Sequence, residues 1–107
     1  MHTEQLVDFV NNELDNMKAR DIVTIDVRDK ASFTDVMVIC SGNSTRHVKS
    51  IVDNLHTQIK HTDVTPLGLE GTDIGEWALL DLGDVIVHVM IDETRDLYQL
   101  EKLWGED

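Results

Sequence analysis

A chain of 107 residues that is 41% hydrophobic is long enough for one domain with a modest core and too apolar to stay disordered. Its net charge of −12, from 21 acidic and 9 basic residues, repels nucleic-acid phosphates and anionic membranes and favours a basic partner, although solubility alone accounts for such a charge in most small acidic proteins. Met1-His2-Thr3-Glu4-Gln5 lacks the basic-then-apolar pattern of a signal peptide, and no apolar run reaches the ~18 residues of a membrane span. A single cysteine, Cys40, allows no internal disulfide and suits a reducing, cytoplasmic setting. With one Pro, no low-complexity tract and no repeat, residues 1–107 read as a single domain.

Leu6, Val10, Leu14 and Met17 recur at three- and four-residue steps and predict a helix from Thr3 to about Lys18, capped by Thr3. Alternation predicts a strand over Ile22 to Val27, with Arg28-Asp29-Lys30 turning the chain. A second strand, Thr34 to Ser41, is apolar on both faces through Val36-Met37-Val38-Ile39-Cys40 and therefore central in a sheet. Cys40 inside that run reads as a buried inert thiol, because no base is suggested beside it.

Ser41-Gly42-Asn43-Ser44 leads into a helix from about Thr45 to Lys60, with Ser44 as N-cap and Val48, Ile51, Val52, Leu55 and Ile59 on one stripe. A Gly-containing turn entering a helix can hold an anion on free amides, and Arg46, His47 and Lys49 add positive charge there. A tight, capped turn accounts for the same residues, and the spacing of a phosphate-binding loop is missing. Val64 to Leu69 predicts a short edge strand, since Pro66 cannot donate to a ladder. Glu70 to Gly75 is a loop.

Glu76 to Ile91 is the densest apolar run and predicts a hairpin about Leu82-Gly83. Pairing Asp81 with Asp84 sets Leu79 against Ile86 and Trp77 against His88. One face is then Ala78, Leu80, Val85, Val87 and Val89, and the other Trp77, Leu79, Asp81, Ile86, His88 and Met90. The first suits a core; the second is amphipathic and suits binding. A three-residue loop with a bulge at Gly83 is the alternative, and a one-residue slip would regroup the faces. Asp92-Glu93-Thr94 opens a last helix, Arg95 to about Trp104, with Leu97, Leu100 and Trp104 inward and Tyr98 and Glu101 outward. The order α-β-β-α-β-β-β-α predicts a mixed α/β domain, a five-stranded sheet with helices mainly on one face.

Catalytic apparatus is incomplete. His2, His47, His56, His61 and His88 are scattered, so no metal set is visible. Ser41 or Ser44 with His47 lacks a glycine-flanked elbow. A magnesium-dependent nucleotidyl transferase wants a carboxylate pair on the strand after the second helix, and Thr65 to Leu69 has none. Asp81 and Asp84 are more simply turn residues.

Asp35-Val36-Met37-Val38-Ile39-Cys40-Ser41-Gly42-Asn43-Ser44-Thr45-Arg46-His47-Val48, then Glu70-Gly71, Trp77, Leu80 to His88 and Leu97 to Trp104, resemble the ribosomal silencing factor family, RsfS, also called the Iojap family. The resemblance spans nearly the whole chain, in order, and looks like a bacterial member. It implies a nucleotidyltransferase-like fold without catalytic carboxylates, no enzyme activity and no cofactor. It implies binding to large-subunit ribosomal protein fourteen, a block on subunit joining when nutrients are scarce, and homodimers in isolation. No membrane or sequence-specific nucleic-acid binding is implied. Carried over by position, the interface is Trp77, Leu79, His88 and Met90 with Tyr98, plus acidic contacts from Glu70, Asp81 and Glu101. Trp77 keeps a second reading as a core anchor under the last helix.

Overall fold

The computed structural model describes residues 1–105. In chain order the elements are α1 (Thr3–Asn16), β1 (Arg20–Asp26), β2 (Val36–Gly42), α2 (Thr45–Ile59), β3 (Gly68–Glu70), β4 (Trp77–Asp81), β5 (Val85–Ile91), α3 (Asp92–Tyr98) and α4 (Leu100–Gly105). The strands form one sheet in the order β1-β2-β5-β4-β3. β2 and β5 run parallel at its centre, and the other neighbours are antiparallel. This is the mixed five-stranded α/β architecture that the patterning predicts.

The sheet has two covered faces of unequal depth. Leu6, Val10 and Leu14 of α1 and the Val48–Ile51–Val52–Leu55–Ile59 stripe of α2 bury Val36, Val38, Cys40, Ala78, Leu80, Val85, Val87 and Val89. On the other side Ile25, Val27, Met37, Ile39 and Met90 pack under Leu100, with Trp77 and Trp104 half-buried beside them. Cys40 lies in the first core, and burial pushes its thiol up to about 12, so it is not a thiolate at neutral pH.

Three local expectations need correction. The hairpin closes from Leu82 to Val85, whose carbonyl accepts the Leu82 N–H at 2.9 Å, leaving Gly83-Asp84 as the loop. Gly83 takes φ +89°, the positive value that such a turn demands, and its N–H donates to Asp81 Oδ1 at 2.9 Å. Leu79 therefore pairs with His88 and Trp77 with Met90. Each β4 residue meets a partner two places further along than predicted. Because side chains alternate with period two, an even shift leaves both faces as predicted.

The third strand is shorter than Val64 to Leu69. Pro66 has no N–H, and pairing starts only when the Leu67 N–H reaches Asp81 O at 2.8 Å. The last helix is broken. Gln99 adopts φ 48°, ψ 53° and caps α3 by donating to Arg95 O at 2.9 Å. The break leaves Leu97 76% exposed and redirects Leu100 and Trp104 onto the second face.

Candidate functional site

The second face is only partly covered, and the uncovered strip runs along β4. Trp77, Leu79 and Asp81 alternate with core residues, so a single strand sends Ala78 and Leu80 into one core and offers three side chains to the other side. Glu70 of β3 lies opposite Leu79, and His88 of β5 lies opposite it on the other flank. Tyr98, the last residue of α3, stacks on Trp77 with ring centroids 4.7 Å apart and planes at 51°. Tyr98 remains 54% exposed. The accessible surface is thus an aromatic pair and a leucine, with Glu70 exposed and Asp81 half-buried at its margin.

Two predicted contact residues are the floor of this surface rather than part of it. Met90 is fully buried, and His88 is 6% exposed. The Trp77 indole Nε1–H donates to His88 Nδ1 at 3.0 Å. An indole N–H only donates, so Nδ1 accepts and the imidazole proton sits on Nε2. That Nε2–H is buried without a partner among the described residues. Burial pushes the His88 pKa down to about 4, which keeps the ring neutral and Nδ1 available.

Glu101 belongs to the fold. Its Oε2 accepts from Arg95 Nε at 3.1 Å, and Arg95 Nη1 donates to Ser41 Oγ at 2.9 Å. An acidic contact outward from Glu101 would compete with this ion pair. Arg95 is the residue that sequence reasoning overlooked. It is buried, its partners lie on β2 and α4, and no spacing rule links residues 41, 95 and 101. It lines a cleft of about 550 Å³ beyond the carboxyl ends of β2 and β5, with Arg20, Ser41, Asp92 and Lys102. Arg20 there is held by Asp92 at 2.9 Å and by Asn43 Oδ1 at 2.6 Å, so neither arginine presents uncompensated charge.

The loop into α2 is likewise closed upon itself. The Asn43 N–H donates to His47 Nδ1 at 2.8 Å, and the His47 N–H donates to Ser44 Oγ at 3.1 Å. A Cβ at Gly42 would come within 2.8 Å of Val48, so the glycine serves close strand-to-helix packing. The tight-turn reading accounts for these residues. Among the described residues no group of three or more His, Cys, Asp or Glu could hold a metal ion, and no helix is long and apolar enough to cross a membrane.

The whole chain, residues 1–107, matches the family model described as ribosomal silencing factor during starvation, RsfS. The chain belongs to that family. RsfS relatives include the Haemophilus influenzae ribosomal silencing factor RsfS, 48% identical over 94% of this chain and 98% of that one. The mouse protein named mitochondrial assembly of ribosomal large subunit protein 1 is 39% identical over 92% of this chain, which spans 44% of its length. A crystal structure of a Chromobacterium violaceum protein superposes with a TM-score of 0.96 at 34% identity, covering 100% of this chain and 89% of that one. The RsfS fold is thus the fold described above.

Proposed function

We propose that this RsfS chain is a non-enzymatic repressor of translation that docks on the large ribosomal subunit through ribosomal protein fourteen. Bound there, it occupies the surface that meets the small subunit and prevents joining when nutrients are limiting. The observation that carries the reading is the Trp77–Tyr98 aromatic pair, a half-buried indole under an exposed phenol on an uncovered strip of sheet beside Leu79 and Glu70. Large aromatics in such settings are enriched as binding hot spots, and a rim of acidic groups suits a basic ribosomal protein. The net charge of −12 adds long-range attraction to such a partner. The mouse relative's name ties that protein to assembly of the large ribosomal subunit, which supports the same choice of subunit. The strand after α2 brings one carboxylate, Glu70, rather than a metal-binding pair, in keeping with a role in binding.

In isolation the chain forms homodimers, and its working place is the cytoplasm. The test is co-sedimentation of Trp77→Ala with purified large subunits. The expected loss is about 2–4 kcal/mol of binding free energy with unchanged circular dichroism. Near wild-type binding by this variant would remove the docking face from the aromatic strip.

A further inference from the structure

His88 is an odd residue to find on the floor of the docking strip. Its neighbours across the sheet are Ile39 and Leu79, and Met90 follows it on the same face of β5. An aliphatic side chain would fill that position without polar cost. Instead the imidazole is buried with one nitrogen, Nε2, lacking any partner, an arrangement that weakens a fold and calls for an explanation outside packing. The other nitrogen supplies it. Nδ1 receives the Trp77 indole N–H at 3.0 Å, with the rings tilted at 51° and their centroids 5.9 Å apart. Trp77 makes no other hydrogen bond through its side chain, because Nε1–H is the only donor that the indole has. Tyr98 then rests on the indole so held.

We propose that His88 is a positioning residue for docking: by accepting the Trp77 indole N–H it fixes the ring that the partner reads, and through that ring it fixes Tyr98. The inference rests on the docking role proposed above and deepens it. With its only N–H turned inward, Trp77 shows the partner an apolar plate. The partner surface that receives it is accordingly apolar at that point, and a hydrogen-bond acceptor placed there would gain nothing. The ordering entropy of a large side chain is met in the free protein rather than at the moment of binding, which favours affinity.

Two substitutions separate positioning from packing. Asparagine carries an oxygen on Cγ where histidine carries Nδ1, so His88→Asn keeps the acceptor and exchanges the partnerless Nε2–H for an amide NH2. His88→Leu keeps the bulk and removes the acceptor. In the free, isotope-labelled protein, the indole N–H resonance that disappears in Trp77→Phe identifies Trp77. Its exchange with solvent is expected to speed up about tenfold in His88→Leu and to stay near wild type in His88→Asn. Affinity for purified large subunits is expected to fall about tenfold in His88→Leu, with no fall in melting temperature, and to change less than about threefold in His88→Asn. Trp77→Ala runs beside them as the control for the docking face. If Trp77→Ala is impaired and His88→Leu binds like wild type, the docking reading stands and the positioning role is overturned. Equal losses in His88→Asn and His88→Leu also overturn it. Undiminished binding by Trp77→Ala overturns the docking reading and the inference with it.

Discussion

The two faces of the sheet are built from the same strands and obey different rules. The face under α1 and α2 is lined by small aliphatics and Cys40, sealed along the middle of β2, β4 and β5. The face under α3 and α4 holds the buried polar groups His88, Ser41 and Arg95, together with the half-buried indoles Trp77 and Trp104. Apolar packing alone accounts for the first face. The second carries polar groups whose satisfaction is local and partial, and it stops short of covering β4. The sealed core lies on one side of the sheet and the proposed docking strip on the other, where β4 is the strand left uncovered.

Adjacent leucines on β4 test that division most sharply. Leu80 is fully buried in the first core, whereas Leu79 faces the open strip. Leu80→Ala is expected to cost about 3–4 kcal/mol of unfolding free energy in urea denaturation, as for a large-to-small change in a sealed core. Leu79→Ala is expected to cost less than about 1 kcal/mol of stability while weakening binding to large subunits. Equal stability losses at the two positions would erase the distinction between the faces.

Mild acid probes the second face through His88. His88 titrates at about 4 in the folded chain against its ordinary 6.5, because burial disfavours the imidazolium. The unfolded chain therefore takes up this proton first as pH falls, and protons favour unfolding. Full stability is present above about pH 6.5 and is lost progressively down to about pH 4. At 1.36 kcal/mol per pH unit, this one group accounts for about 3 kcal/mol. Denaturation curves between pH 7 and pH 4 measure it. His88→Asn is expected to remove that part of the acid dependence, and an unchanged profile would mean that the ring is not held neutral.

The smallest expected effect lies at the margin of the strip. Glu70→Gln removes an exposed charge opposite Leu79 and leaves the backbone pairing intact. Its effect on affinity is expected to stay below about 1 kcal/mol and to appear chiefly as slower association and a shallower salt dependence in stopped-flow mixing. A large loss that persists at high salt would place Glu70 inside the buried interface.

The faces of the hairpin were legible because alternation is a local property. Trp77, Leu79, Asp81, Ile86, His88 and Met90 share a face whichever even register the strands adopt. The register itself depended on the Asp81 side chain bonding the Gly83 N–H, a contact that composition does not announce. The broken last helix was hidden for a different reason. Leu97, Leu100 and Trp104 fit one helical stripe on paper, yet the left-handed Gln99 turns Leu97 to solvent and lets Leu100 reach Met37 and Ile39. Arg95 was overlooked because its worth comes from Ser41, which the sheet alone brings near. Of the predicted contact residues, Trp77, Leu79, Glu70, Asp81 and Tyr98 lie on or beside the open strip. His88 and Met90 lie beneath it, since periodicity assigns a face but not the depth to which other elements bury it.

The parallel pairing at the centre of the sheet governs how the molecule can be assembled. β2 has a local partner in β1, but its other edge is matched by β5, where Val36 pairs with Val85 and Gly42 with Ile91. On a chain growing from its N-terminus, that edge stays unsatisfied until β5 has been made, so the most apolar strand waits for one of the last. Contacts so distant in sequence are slow to form, and an open edge invites wrong pairings meanwhile. A truncated product ending before β5 would hold Trp77 but lack its partners Tyr98 and His88, together with the strand that closes the core. The topology thus couples completion of the core to completion of the proposed docking surface, and a chain that stops before β5 has neither in full.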